Sequence, residues 1–168
     1  MTADFELPEA THPAIRNGLA YWRRVHPAPG LLPGRQHIDP LQMPRLLPYV
    51  WLIEVHPGLN EGAIPRFRFR LVGSHVDLGL GEPKTGRWLH EMEPDFESTP
   101  HMHDNFVGVV RTAQISHRRG RPRLTMNTDA TELERLMLPL ASNGRDVDML
   151  IGFTVFFDSQ GNELHPTL

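Results

Sequence analysis

The run His101-Met102-His103-Asp104 contains the residue types that most often bind a catalytic metal ion. It lacks the second aspartate–histidine step that metal-dependent hydrolases need. On a helix, side chains two residues apart point about 160° apart around the axis, so both imidazoles could hold one ion only on an extended backbone. The sequence therefore favours histidines at a surface or at a helix start. The alternative to this interpretation is a small metal-dependent enzyme that uses His101, His103 and Asp104.

Cofactor chemistry of two other kinds would depend on single residues. His103 or His117 could be an axial haem ligand, although no sequence motif supports either histidine. The chain has no cysteine, which excludes disulfides, zinc–thiolate sites and flavin photochemistry through a cysteine adduct. The sequence identifies no particular cofactor.

A dense group of positive charges occupies residues 116–123 (SHRRGRPR). Phosphate contacts need mainly arginine and lysine, so this group could bind an anion or a nucleic acid. However, it contains no aromatic residue, and the formal net charge of the chain is −3. These features favour a solvated helix end followed by a strand start, and we expect no nucleic-acid partner.

Aromatic and methionine residues that face inward are mostly ordinary core. A subset could line a pocket, because small-molecule sites have apolar walls with few polar groups. The candidate pocket residues are Trp51, Phe69, Trp88, His103, Phe106, Met126, Leu138 and Phe153.

The elements that would position these residues are organised around a predicted β-hairpin at residues 132–157. Apolar residues alternate with a period of two on both sides of the turn sequence Asn143-Gly144, which is a strong hairpin signal. The second strand is apolar on both faces, which predicts a place in the middle of a sheet. Pro139 cannot donate a ladder hydrogen bond, so we expect a bulge or an unpaired position there.

Three further strands are predicted, at residues 49–55, 66–72 and 121–128. In the second of these, Phe67, Phe69 and Leu71 would face inward and three arginines outward, which is typical of an edge strand or an exposed sheet surface. In the third, Leu124 and Met126 would face inward. The five strands and their intervening helices indicate an α+β fold without a βαβ pattern.

Helices are predicted at residues 11–25, 74–80 and 101–117. The first carries an apolar stripe of Ile15, Leu19 and Trp22 on one face. This stripe must be buried, either against the sheet of its own chain or against a second copy of the chain. The sequence leaves both alternatives open.

Several stretches occur in an order that is more informative than any one of them. They are residues 32–35 (LPGR), 38–40 (IDP), 69–74 (FRLVGS), Gly81 with 85–86 (TG), 138–144 (LPLASNG) and 149–152 (MLIG). Together they resemble the PAS domain family, in its stand-alone bacterial branch, over roughly residues 32–157.

The resemblance implies a five-stranded antiparallel sheet with helices on one face and a cavity between them, preceded by the N-terminal amphipathic helix. It divides the chain into an arm and helix at residues 1–30, a PAS-like domain at 31–158 and a tail at 159–168. It implies a non-enzymatic sensory or regulatory module that binds a small ligand or a signalling protein partner. A homodimer through the helix at 11–25 belongs to this prediction.

Two other functions are alternatives to a ligand sensor: the metal-dependent enzyme and a protein-interaction adaptor with a filled core. No apolar run approaches the ~20 residues that span a bilayer. The N-terminus lacks the basic start and apolar core of a signal peptide. We therefore expect a cytoplasmic protein without membrane contact.

Overall fold

The computed structural model of the protein describes residues 4–95, 100–124 and 126–166, and for residues 100–104 it describes the backbone alone. The helices are α1 (Pro13–Arg24), α2 (Ser74–Leu80), α3 (Leu89–Met92) and α4 (Pro100–Thr112). The strands are β1 (Val50–His56), β2 (Arg66–Val72), β3 (Ser116–Gly120), β4 (Glu132–Leu140) and β5 (Met149–Phe157). Short 3-10 helical turns lead from α1 to β1 at Arg35–His37, Pro40–Gln42 and Pro44–Tyr49.

The five strands form one antiparallel sheet in the order β2-β1-β5-β4-β3, which places β5 in the centre. β4 and β5 form the predicted hairpin, with pairs running from Glu132 opposite Phe157 to Leu140 opposite Met149. From Leu150 onward every residue of β5 is buried, because both faces of the strand are covered. The predicted α+β class and the central position of this strand are confirmed.

The hairpin passes through Pro139 without a bulge, since Pro139 lies opposite Leu150 in an uninterrupted register. β3 pairs with β4 no further than Met137, so Pro139 lies beyond the end of β3. The carbonyl oxygen of Pro139 accepts a hydrogen bond from Nε1 of Trp22 at 3.0 Å. In a strand, the nitrogen and carbonyl of one residue point to the same side. The missing N–H therefore falls where no neighbouring strand requires a donor.

α1 covers one face of β4 and β5. Its predicted stripe of Ile15, Leu19 and Trp22 is buried within the chain itself. The helix approaches the sheet closely at Gly18, where an added Cβ would lie 2.5 Å from Cδ2 of Phe153. Of the two alternatives for the stripe, the structure shows packing against the chain's own sheet.

The opposite face of the sheet is covered by α2 and α4, and α3 lies beside β2. The apolar residues on this side form a second core around Trp51, Phe106 and Phe156. His75 in α2 accepts a hydrogen bond from the backbone N–H of Phe156 at 3.0 Å, which ties α2 to β5. The helical layer on this face agrees with the prediction, and the N-terminal helix covers the other face.

β3 lies earlier in the chain than the sequence predicts. The strand occupies Ser116–Gly120 and not residues 121–128, and cross-strand ion pairs hold it on β4. One such pair joins Arg119 Nε to Glu132 Oε1 at 2.7 Å. Apolar alternation does not reveal pairs of this kind. Met126, which was expected to face inward from the third strand, is 72% exposed.

The helix predicted at residues 101–117 ends earlier, at Thr112. The next residue, Ala113, takes a left-handed φ of 54°, which is incompatible with continuing a right-handed helix. His117 therefore lies in β3, where its Nε2 is 2.8 Å from Oε1 of Glu134.

The inward alternation predicted for β2 is interrupted at Leu71. Leu52 of β1 pairs with Leu71, but the next residue, Ile53, pairs with Phe69, so Arg70 is an extra residue in the ladder. The irregularity turns Leu71 outward, and it is 39% exposed. β2 is nevertheless the edge strand that its outward arginines predicted.

Candidate functional site

A cavity of about 80 Å³ lies between the sheet and the helices on the face opposite α1. Trp51 of β1 and Phe69 of β2 line it from the sheet, and Phe106 of α4 lines it from the helical layer. The other apolar lining residues are Ile53, Val76, Leu80, Leu124, Leu133 and Phe156. Most of the wall is therefore hydrophobic.

A second, wider pocket of about 300 Å³ adjoins this cavity. The two share Phe69, Leu80, Arg123 and Leu124 as lining residues. The outer pocket also contains charged side chains, among them Lys84, and has a more polar character. The shared residues form the boundary between an apolar inner space and a polar outer one.

Two arginines face each other across neighbouring strands in the wall of the cavity. Arg118 of β3 and Arg135 of β4 are direct partners in the register, and both line the cavity. Arg123, an exposed residue, adds a third guanidinium. Like charges directly opposite each other destabilise a sheet. Within the described ranges, no carboxylate forms an ion pair with any of these three arginines.

One donor of Arg135 is unused, although the residue as a whole is half-buried. Its Nη2 donates to Oγ of Ser116 at 3.3 Å, and its guanidinium carbon lies 5.8 Å from the centre of the Phe106 ring. Its Nε is buried and has no hydrogen-bond partner in the part of the chain that the structure describes. An unsatisfied buried donor costs about 1–3 kcal/mol, and more when the group is charged.

The charge of Arg135 is also unfavourable where it stands. Burial is the main cause that lowers the pKa of Arg135 to about 9, and the guanidiniums of Arg118 and Arg123 lower it further. Burial, and then the charge of Arg123, lowers the pKa of Arg118. A group with a pKa of about 9 is still protonated at pH 7. The cavity wall therefore carries positive charge, with which no carboxylate among the described residues forms an ion pair.

The aromatic wall opposite these charges is held rigidly. Nε1 of Trp51 donates to Oγ1 of Thr154 at 2.9 Å, and both groups are buried. The indole lies directly on Gly152 in the next strand, where any Cβ would overlap the ring. Thr154 itself lines the cavity. Trp51 is thus fixed in position by a hydrogen bond and by a residue without a side chain.

The pocket residues predicted from the sequence are distributed over both sides of the sheet. Those that line the cavity are Trp51, Phe69 and Phe106. Met126 lines the outer pocket. Leu138 and Phe153 lie in the core beneath α1, on the other face of the sheet.

Of the remaining two candidates, Trp88 lies outside the cavity lining, and His103 is not described at the level of its side chain. Trp88 packs on the outer side of β2, where the guanidinium of Arg66 lies 4.9 Å from the centre of its ring, and it also contacts His56. His103 belongs to α4, but its side chain lies outside the described residues. The same holds for His101 and Asp104, the other members of the metal-binding hypothesis.

Sequence reasoning missed Arg135 and Thr154 as cavity residues, and it assigned Arg118 to a solvated cluster. A signal for Arg135 was nevertheless present. In β4, Arg135 lies two residues from Leu133 and from Met137, so the three side chains point to the same face of the sheet. The alternation thus places an arginine on a face that is otherwise apolar. A charge in such a position requires a partner or a function.

A second polar cluster joins the N-terminal helix, α2 and the C-terminal segment. Tyr49 donates to Oε1 of Glu163 at 2.5 Å, and Nε2 of His12 lies 3.3 Å from Oε2 of the same carboxylate. Burial, and then the hydrogen bond to Glu163, raises the pKa of Tyr49 to about 12. Burial also lowers the pKa of His75, whose Nδ1 lies 3.8 Å from Glu163. These contacts hold four segments together, namely the start of α1, the turn before β1, α2 and the C-terminal segment.

Two features are absent from the residues that the structure describes. Within them, no group of three or more histidine, aspartate or glutamate side chains is placed to hold a metal ion. No helix among them combines the length and the apolar character needed to cross a bilayer.

The chain is similar to a known protein family, although not to any single known protein. No curated protein and no solved structure shows significant similarity to it. A family model described as PAS domain matches residues 10–155 of the 168. This span includes α1, the complete helical layer and nearly all of the five-stranded sheet. The chain therefore belongs to the PAS domain family.

Proposed function

We propose that the protein is a sensory module whose input is a small molecule bound in the cavity between the sheet and α4. Membership of the PAS domain family makes it a sensory or regulatory module in general. The observation that carries the proposal is the cavity itself, which combines apolar walls with the polar side chains of Arg118, Arg135 and Thr154. This combination is typical of small-molecule sites.

The proposed output is a contact with a signalling protein. A bound molecule would touch Phe106 of α4 and Arg135 of β4 at once, because both line the cavity. Ligand binding would therefore change how α4 packs on the sheet, and a partner protein would recognise the altered surface. A ligand shifts such an equilibrium only by the difference between its affinities for the two states.

The test is methyl NMR of the full chain titrated with three molecules of similar size, namely propionate, 1-propanol and propylamine. Ile53, Val76 and Leu133 line the cavity and supply reporter methyl groups. Ile15 and Leu138 lie beneath α1 and supply matched control methyl groups. We expect at least one compound to shift the reporters in a saturable manner and to leave the controls unchanged.

One observation favours a second candidate function, the adaptor with a filled core. Small-molecule pockets usually measure about 300–1,000 Å³, and this cavity holds about 80 Å³. The same titration separates the two functions. If none of the three compounds shifts the cavity methyl groups, the ligand-sensor proposal is refuted and the adaptor is favoured.

The homodimer through the helix at residues 11–25 stays a prediction, and the structure limits the surface that it could use. The apolar stripe of α1 is buried within the chain, so a second copy would contact the exposed side of the helix. That side presents Arg16, Asn17, Ala20, Arg23 and Arg24. Sedimentation of the wild type and of an Ala20→Glu variant would test this contact, and an unchanged monomer in both would exclude it.

A further inference from the structure

The cavity wall has a feature that ligand size and apolar character do not explain. Arg118 and Arg135 stand directly opposite each other on neighbouring strands. Folding brings their charges together, although like charges in this position are unfavourable. An apolar side chain at either position would avoid the repulsion.

The carboxylates nearest in sequence are already paired elsewhere. Glu132 pairs with Arg119, and Glu134 pairs with His117 and also accepts a hydrogen bond from the backbone of His12 at the start of α1. Along β4 these two glutamates lie an odd number of residues from Arg135, so their side chains point to the other face of the sheet. Neither can neutralise the cavity.

We propose that the cavity binds a short-chain carboxylate, whose carboxylate group accepts hydrogen bonds from Arg135 and lies beside Arg118, and whose apolar chain packs against Trp51 and Phe106. This inference rests on the proposed function, because it names the ligand class of the same site. A carboxylate bound beside Arg118 and Arg135 would offset the repulsion between the two guanidiniums, both of which line the cavity. Arginine and carboxylate form charge-assisted, often two-pronged hydrogen bonds.

The size of the cavity and the chemistry of its walls restrict the class of ligand further. A cavity of about 150 Å³ accommodates benzene, so 80 Å³ suits roughly three to five non-hydrogen atoms. Acetate and propionate have this size. Phosphate is similar in size but requires polar contacts on all sides. The cavity offers polar groups only at the arginines, Asn105 and Thr154, and the rest of its wall is aromatic or aliphatic.

The experiment is calorimetric titration of the full chain with acetate, propionate, butyrate, propionamide and inorganic phosphate, together with the methyl NMR titration. We expect saturable binding of propionate, and binding of propionamide weakened at least about tenfold, because the amide carries no charge for Arg135 to recognise. Shifts should be confined to the cavity methyl groups.

Four variants locate the recognition. Arg135→Met should weaken propionate binding about tenfold or more, and Arg135→Lys should restore only part of the affinity because a lysine lacks the guanidinium fork. If Arg135→Met does not fold, Arg118→Gln is the variant that tests recognition of the carboxylate, and it should also bind propionate more weakly than the wild type. Arg119→Gln is the matched control, since Arg119 neighbours Arg118 in β3 but pairs with Glu132 outside the cavity. It should bind propionate like the wild type.

The outcomes separate this inference from the proposed function. If propanol or propionamide binds as tightly as propionate, a ligand site exists but charge recognition is refuted. Phosphate binding that displaces propionate with equal affinity would refute the carboxylate class. If the wild type, Arg135→Met and Arg118→Gln bound propionate with equal affinity, propionate would bind at a site that does not include these arginines. If no compound binds, the ligand-sensor function fails as well.

Discussion

On the side of the sheet that α1 covers, Trp22 fills the space above β4 and its Nε1 donates to the carbonyl of Pro139. On the side that α4 covers, Nε of Arg135 is equally out of contact with solvent but has no partner among the described residues. The first face contains the fully buried Leu138 and Phe153. The second contains a cavity and two opposed arginines.

The comparison shows how one sheet can serve two purposes. Tight packing under α1 stabilises the fold. The other face can therefore retain an unfilled cavity and two guanidiniums that have no carboxylate partner among the described residues. Natural proteins tolerate such local violations mainly at functional sites.

The largest effect is expected at Trp22. Trp22→Ala should lower the free energy of unfolding by about 3–5 kcal/mol, because it empties a fully buried site. Trp22→Phe should cost less, since it removes mainly the hydrogen bond to Pro139. Urea unfolding of the three proteins measures both values. A loss below about 1 kcal/mol for Trp22→Ala would contradict the packing of α1 on its own sheet.

The cavity face should respond in the opposite direction. Arg135→Met should raise the free energy of unfolding of the ligand-free protein by about 1–3 kcal/mol, because an apolar side chain replaces an unneutralised charge. Urea unfolding in a buffer without carboxylates measures the change. A clear loss of stability would show that Arg135 supports the fold, and would remove the contrast between the two faces.

Acid should weaken the attachment of α2, which supplies one wall of the cavity. In the unfolded chain His75 has its usual pKa of 6.5, whereas burial lowers the pKa of His75 in the folded chain. The charge of Glu163 opposes this decrease, and the charges of His165 and His12 add to it. Between these two pKa values the unfolded state binds more protons, so stability falls as the pH drops below about 6.5.

The expected loss is on the order of 1 kcal/mol, the value of the hydrogen bond from Phe156 to the neutral ring. His75→Gln should flatten this part of the stability–pH profile, and the exposed His90→Gln should leave it unchanged. An unaltered profile in His75→Gln would exclude His75 as the responsible group.

The smallest effect is expected one residue away from Arg118. Arg119→Gln should lower stability by only about 0.2–1 kcal/mol, because its ion pair with Glu132 is partly exposed. Thermal unfolding at low and high salt measures this effect, which should shrink as salt is added. If Arg119→Gln stabilised the protein as Arg135→Met is expected to, the effect would reflect general charge repulsion and not the cavity.

Much of the fold could be predicted from local sequence patterns. The alternation on both sides of Asn143-Gly144 identified the central hairpin, and the three arginines of β2 identified an edge strand. β3 was misplaced because its position depends on partners in β4 such as Glu132, which lie far along the chain. Leu71 was misplaced because a single extra residue reverses the alternation.

The candidate site was only partly accessible to the same reasoning. Large aromatic residues such as Trp51 and Phe106 were proposed because their size marks them as buried, but that property does not distinguish the two faces of a sheet. Phe153 is just as buried and lies on the other side. The opposition of Arg118 and Arg135 depends on the strand register, and no local pattern fixes that register before β3 is placed.

The proline in β4 has a consequence for association between chains. β3 is shorter than β4, so the last residues of β4 would present a free edge on which a strand from another molecule could be added. At that edge Pro139 has no donor, Trp22 already occupies its acceptor, and Ala141 donates to Pro33 at 2.9 Å. The central hairpin of the sheet is thereby protected from strand exchange and from fibril growth.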